Sequence, residues 1–333
     1  MQSEAATQAV AAGPRLQVEG SQRSRSRRLH ADWSQPGGRL ETGSLAVRVL
    51  GRGAPTLLLH GILGSNRYWG AAFDRIAANG LLLAPDLLGF GASPRPPSGY
   101  GPDEHGAALI ASLDEAQVRE PVLVVGHSLG ALLAIWLARK HPERVSGAIA
   151  FSPPLFRDAG HARRQIAKVG GLERLFGLEN RAASWMARTV CRNLCEARPK
   201  LAARLYSALR PSFPYPLVED ATRHSWVSYS ETVRRVILAA EAATWFASRG
   251  REEAPILVVA GEEDRYVDFE FLGGLVAQRP RARLQVWAGE GHDLPLAQPE
   301  RCLAAIESFR SSLLTAVEPE RFCISPDERR PHA

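Results

Sequence analysis

The sequence predicts an α/β protein: a mostly parallel central sheet with helices on both faces and a helical lid. Three observations carry this. Short apolar runs alternate with segments of helical periodicity along most of the 333 residues. Several of those runs lack polar alternation, the pattern of strands covered on both faces. One long interval, 152–245, has helical spacing and no convincing strand, so it reads as an insertion between two sheet strands.

Residues 1–39 are polar and Ala/Gln/Ser-rich, then arginine-rich through Arg23-Ser24-Arg25-Ser26-Arg27-Arg28. They read as a disordered, solvated segment in preference to an RNA or membrane tether. The first part of the core, 40–151, carries candidate strands Leu45–Val49, Thr56–His60, Leu81–Pro85, Val122–Gly126 and Ser146–Phe151. Helical patterns lie between them at Arg67–Ala78, Pro102–Ala116 and Leu129–Lys140. In the lid, 152–245, Leu172, Leu175 and Phe176 form one stripe, Leu201, Leu205 and Leu209 a second, and Val233, Val236 and Ile237 a third. Breaks at Pro153-Pro154 and Pro211-Ser212-Phe213-Pro214-Tyr215-Pro216 punctuate it. The second part of the core, 246–315, has strands Ile256–Gly261 and Leu284–Trp287 and helices Phe269–Gln278 and Pro299–Leu314. Residues 316–333 form a loose polar tail. Following the strand that ends at Phe151, the lid is placed above the C-terminal sheet edge, where α/β folds bind ligands.

Apolar residues make up 45% of the chain and charged residues 23%, enough for a substantial core. No apolar stretch is long enough to span a bilayer, and Met1–Gly20 lacks the basic start and apolar block of a signal peptide. The four cysteines (Cys191, Cys195, Cys302 and Cys323) form no metal-like spacing with histidine, so reduced thiols in a cytoplasm are expected, without metal or cofactor. Of the net charge of +6, the lid alone contributes +7, from 15 Lys and Arg against 8 Asp and Glu. No basic helix interleaved with aromatics appears, which argues against nucleic acid as a partner.

Gly126-His127-Ser128-Leu129-Gly130 joins the apolar run Pro121–Val125 to the helical run Ala131–Ala138. A serine at the summit of a strand–turn–helix presents its hydroxyl, and the flanking glycines remove Cβ atoms from a sharp turn. Serine needs a base, and the base needs a carboxylate to hold its tautomer. Asp264 follows the strand 256–261, and His292 follows the strand 284–287. Glu262, Glu263 and Asp268, close by, are competing acids for the same role. His60 reads as a loop-shaping hydrogen-bond former, His127 as a packing or supporting contact, and Asp86 as a structural turn residue. Trp136 reads as core, the lid pair Trp185 and Trp245 as either core or substrate platform, and Cys191 and Cys195, one helical turn apart, as inert thiols.

With these motifs the chain resembles the α/β-hydrolase family, in its lid-bearing serine-hydrolase branch, over roughly residues 40–315. His60-Gly61-Ile62-Leu63-Gly64 with Trp69, Asp86-Leu87-Leu88-Gly89-Phe90-Gly91-Ala92-Ser93 and His141-Pro142-Glu143-Arg144-Val145 match the family's pattern in order. The resemblance implies acyl transfer: Ser128 attacks a carbonyl, His292 moves the proton, Asp264 orients His292, and the N–H groups of Leu129 and Ile62 form the oxyanion hole; relatives that carry the acid after an earlier strand add Asp158 as a competitor to Asp264. The implied partner is a small-molecule acyl substrate, hydrophobic or anionic, and the leading activity is carboxylic-ester hydrolysis. C–C bond hydrolysis of a vinylogous diketone and cofactor-free peroxidation are alternatives with the same triad. Epoxide hydrolysis and haloalkane dehalogenation are disfavoured, because those branches use a carboxylate where Ser128 stands. A ligand-binding protein on a retained hydrolase fold is the non-enzymatic alternative. The lid's arginines suggest attraction of anionic substrates or of an acidic membrane surface, with solvated helix faces as the simpler reading.

Overall fold

Strands that are apolar at every position need cover above and below, and the sheet of this protein has both. The computed structural model describes residues 17–19, 37–169, 181–209, 211, 213–239, 241–246 and 253–315. Nine strands form one sheet: β1 (Gln17–Glu19), β2 (Arg39–Thr42), β3 (Ala46–Gly51), β4 (Pro55–Leu59), β5 (Leu81–Pro85), β6 (Val122–His127), β7 (Val145–Phe151), β8 (Ile256–Gly261) and β9 (Ala282–Trp287). Their spatial order is β1-β9-β8-β7-β6-β4-β5-β3-β2. β3 is antiparallel to both of its neighbours, and every other pairing is parallel.

Alternate residues of the central strands divide between two cores. Leu57, Leu59, Val122, Val124, Ala148, Ala150, Ile256 and Val258 face one side. Leu58, Leu123, Val125, Ile149, Phe151, Leu257 and Val259 face the other. The first core is closed by α1 (Pro102–Glu115) and α2 (Leu129–Lys140), and the second by Phe73, Ile76 and the helix Pro299–Thr315. α2 is apolar all round, and every residue from Leu129 to Ala138 is buried; a helix with no polar face belongs inside. After β5 the chain crosses back over β4 to build β6 on its far side. The β4–β6 boundary is therefore the point where the winding reverses, and the C-terminal ends of the strands open there on the site usual for α/β sheets.

All seven expected strands are present, with ends moved by up to two residues. β2 and β1 are additions. β2 is a short polar edge strand without apolar alternation, and β1, inside the stretch expected to be disordered, pairs in parallel with β9. The backbone there finds partners that no side-chain pattern announces. The remainder of 1–36, including the arginine run, and the expected tail 316–333 with Cys323 lie outside the described residues. The helix expected over Arg67–Ala78 is instead two 3₁₀ stretches, Asn66–Trp69 and Ala71–Ala78, broken at Gly70 with φ +59°. Trp69, Phe73 and Ile76 recur at intervals of three and four, which suit either helix type, and sequence period alone does not separate them.

Among the described residues of 152–245 every element is helical. They are α3 (Ala159–Val169), Arg181–Val190, Pro199–Leu209, Tyr215–Ala221, Trp226–Thr232 and Glu241–Trp245, with π-helical turns at Cys191–Glu196 and Val233–Ile237. Leu172, Leu175 and Phe176 fall outside the described residues. Leu201, Leu205 and Leu209 do lie on one helix, but they are 44, 49 and 76% exposed. Trp136 and Trp245 are buried, whereas Trp185 is exposed, so of the two lid tryptophans only Trp245 belongs to the core. Among the described residues no helix is long and apolar enough to cross a membrane.

Candidate active site

Ser128 occupies the turn between β6 and α2 with φ 53° and ψ −113°, a left-handed conformation that side chains rarely adopt. The turn is held by its surroundings. Ser128 N–H donates to the Phe151 carbonyl at 2.9 Å, and the Ser128 carbonyl accepts from the N–H groups of Ala131 and Leu132. A Cβ on Gly126 would lie 2.0 Å from the Gly130 carbonyl oxygen, and one on Gly130 would lie 2.1 Å from that of Leu59. Both positions therefore require glycine for space. Leu129 is the first residue of α2, where backbone N–H groups have no acceptor within the helix. On the other flank, a Cβ on Gly61 would lie 3.4 Å from Ser128 Cβ, so the loop carrying Ile62 runs beside the serine. Leu63 next to it has φ 59°.

The loops after β8 and β9 meet at the same sheet edge. His292 Nδ1 donates to Asp264 Oδ2 at 2.8 Å, and Asp264 Oδ1 accepts the Tyr266 N–H at 2.9 Å. Asp264 is buried and His292 partly so. With the proton on Nδ1 committed to the carboxylate, Nε2 carries the lone pair that can act as a base. Burial pulls the His292 pKa down, but the hydrogen bond and charge of Asp264, with Asp293, outweigh it and leave the imidazole above its ordinary 6.5. Burial pushes Asp264 up, and the hydrogen bond and charge of His292 with the Tyr266 N–H leave it below its ordinary value. The two directions agree, as they must for one pair.

Of the competing acids only Asp264 reaches His292. Glu262 accepts the Gly289 N–H and is exposed, as is Glu263. Asp268 caps the helix Phe269–Ala277 and pairs with His161, and Asp158 accepts the His161 N–H. His60 Nε2 accepts the Leu87 N–H at 2.9 Å and its Nδ1 donates to the Gly61 carbonyl at 2.7 Å, so both nitrogens shape the loop. Asp86 accepts from Asn66 and from the Ala92 N–H, a turn-forming role.

His127 does more than pack. Its Nε2 donates to the His292 carbonyl at 2.9 Å, and its ring stacks on Tyr68 at 5.0 Å. Burial, followed by the charge of His292, drives the His127 pKa down to about 3, so it stays neutral beside the base. Tyr266 lies against His292 with ring centroids 4.4 Å apart. Neither Tyr68 nor Tyr266 stands out in the sequence. Tyr68 adjoins the Trp69 of a recognised motif, and Tyr266 is two residues past the acid, which are the only signals that point to them.

Residues 56–305 match the sequence model described as "Alpha/beta hydrolase family". The chain is 26% identical over 250 residues to the probable lysophospholipase BODYGUARD 4 of Arabidopsis thaliana, over 71% of this chain and 59% of that protein. It is 26% identical over 278 residues to the 2-(acetamidomethylene)succinate hydrolase of Mesorhizobium japonicum, over 80% of this chain and 91% of that one. A solved structure of an esterase from Rhodococcus sp. matches with a TM-score of 0.59 at 23% identity, covering 81% of this chain and 95% of that one, a likeness of fold. The chain spans 59 and 54% of the lengths of the two Arabidopsis BODYGUARD proteins it matches.

Proposed function

Because the chain belongs to the alpha/beta hydrolase family, we propose that it is a serine hydrolase cleaving a carboxylic ester or related acyl bond through an acyl-enzyme on Ser128. The observation that supports this reading most is the 2.8 Å bond from His292 Nδ1 to the buried Asp264 carboxylate, at the sheet edge where Ser128 turns out of β6. Ser128 Oγ attacks the carbonyl carbon while its proton passes to His292 Nε2. The N–H groups of Leu129 and Ile62 hold the oxyanion, each such donor lowering the barrier by roughly 2.7–4 kcal/mol. His292 then protonates the departing alkoxide. Water, deprotonated by His292, attacks the acyl-enzyme; the bond to Ser128 Oγ breaks, His292 returns the proton to that oxygen, and the acid leaves.

The helical insertion 152–245 serves in this reading as a lid over the strand ends and supplies an apolar acyl or aryl pocket. Its arginines draw anionic substrates, in keeping with a charge of +7 on this segment. The reading includes a cytoplasmic setting, in which the cysteines stay reduced.

The test is a fluorophosphonate probe together with short p-nitrophenyl esters, applied to the wild type and to Ser128→Ala. Labelling and turnover by the wild type, both lost in the variant, are the expected result. Retained esterase activity in Ser128→Ala overturns the assignment of the nucleophile. A folded wild type that neither labels nor turns over esters favours the binding reading instead. A panel extended to thioesters, lactones and a C–C substrate identifies the bond cleaved.

A further inference from the structure

The helical insertion holds a side-chain cluster that the chemistry at Ser128 does not use. Cys191 and Cys195 stand four residues apart on the π-helical turn Cys191–Glu196, and His224 comes from the link between the helices Tyr215–Ala221 and Trp226–Thr232. One donor atom from each of the three lies within 4.8 Å of the other two. Cys191 Sγ is 3.4 Å from His224 Nε2. His224 Nδ1 donates to the Ala221 carbonyl at 2.8 Å, which leaves the lone pair on Nε2, facing the sulfur. A metal-bound imidazole is held by just such a second bond. Tetrahedral zinc, with Zn–S about 2.3 Å and Zn–N about 2.0–2.1 Å, places neighbouring S and N ligands about 3.5 Å apart. The Cys191–His224 distance meets that requirement.

We propose that Cys191, Cys195 and His224 bind one zinc ion in a structural site. On binding, the two thiols lose their protons to solvent and the two thiolates neutralise the dication. Glu196 stands beside the cluster: its Oε1 is 3.8 Å from Cys191 Sγ and accepts the Trp226 N–H at 2.8 Å. Cys191 and His224 are buried and Cys195 is half-buried, so an ion has an approach on the Cys195 side. The His224 end is already fastened to the core. His224 bridges backbone to backbone with Phe90 in the loop after β5, and Arg95 donates to the Arg223 carbonyl. The cysteines continue the helix Arg181–Val190, whose Trp185 is exposed. Zinc at this point ties the outer part of the insertion to a loop of the sheet edge.

The full chain, free of any histidine tag, stripped by chelator and kept reduced, is titrated with cobalt(II) and then zinc(II). The expected result is one cobalt per chain, with tetrahedral d–d bands and a thiolate-to-cobalt charge-transfer band, displaced by zinc. Cys195→Ser and His224→Gln should weaken binding by at least about tenfold, with the fold checked by circular dichroism. In the wild type, zinc should slow alkylation of Cys191 and Cys195 by iodoacetamide, read peptide by peptide in a mass spectrometer, an arm that needs no variant. An octahedral spectrum without charge transfer, or alkylation indifferent to zinc, overturns the proposal. So does a protein that takes up no metal when reduced and forms a Cys191–Cys195 disulfide in air.

Discussion

At Asp264 one carboxylate sets both the tautomer and the basicity of its neighbour. Asp264 and Tyr266 hold His292 from one side and His127 from the other, so removing the carboxylate changes charge more than position. In the proposed reaction His292 must be neutral to accept the serine proton. The acid limb of kcat/KM should therefore have its midpoint above the ordinary imidazole value of 6.5. In Asp264→Asn the opposing effect of burial is no longer outweighed, so the limb should move to lower pH while kcat falls on the order of 10⁴-fold. A pH profile of ester hydrolysis for the two proteins checks both. The stability window has a definite sign. His292 has a raised pKa, so its contribution is complete below 6.5 and is lost as pH rises through the folded value. Asp264 has a lowered pKa, so its contribution is present above 3.8 and is lost as pH falls through the folded value. Urea unfolding should thus separate wild type from Asp264→Asn most clearly between those two ordinary values.

The elements meet where the helical insertion grips the loop after β4. Arg67 holds Asp220 with two bonds, Nε to Oδ2 at 2.7 Å and Nη2 to Oδ1 at 2.6 Å, and Ser65 Oγ adds a third at 2.6 Å. Asp220 sits on the helix Tyr215–Ala221 and is only 2% exposed, while Ser65 and Arg67 belong to the stretch that follows Ile62. Breaking a buried ion pair from one side leaves an uncompensated charge, but the Arg67 side chain is 24% exposed and water relieves part of that. Asp220→Ala should therefore destabilise the protein by about 3 kcal/mol, the low end for such a pair. Because the same loop carries the proposed oxyanion donor, kcat/KM should fall as well, whereas Asp220→Asn should retain more of both. Denaturant curves and ester kinetics on the two variants decide. Asp220 has no sequence signal: it lies 153 residues from Arg67, in a helix whose partner only the folded chain supplies.

On the scale of the whole molecule, charge is the property that the sequence displays most openly. The segment 152–245 carries +7 and the rest of the chain about −1. Steering by this field depends on screening, and the Debye length falls from about 30 Å at 0.01 M salt to about 8 Å at 0.15 M. The kcat/KM for an anionic ester should fall several-fold over that range while that of a neutral ester stays level. Identical salt profiles for the two would exclude steering.

The sequence by itself determined the sheet, the helices around it and the turn at Ser128. Each of these is written in neighbours along the chain: apolar runs covered on both faces, helical spacing, and glycines two residues either side of a serine. Apolar periodicity did not determine which way the helix Pro199–Leu209 faces, and its Leu201–Leu205–Leu209 stripe is turned toward solvent. Nor did it reveal the edge strands β1 and β2, which pair through backbone groups that every residue possesses. Only the tertiary structure decided which of Glu262, Glu263 and Asp264 meets His292, because the turn after β8 buries one carboxylate and exposes two. Only the tertiary structure brings His224 to Cys191, 33 residues away. Such contacts depend on the path of the chain between the partners, and that path is set by the packing of the whole.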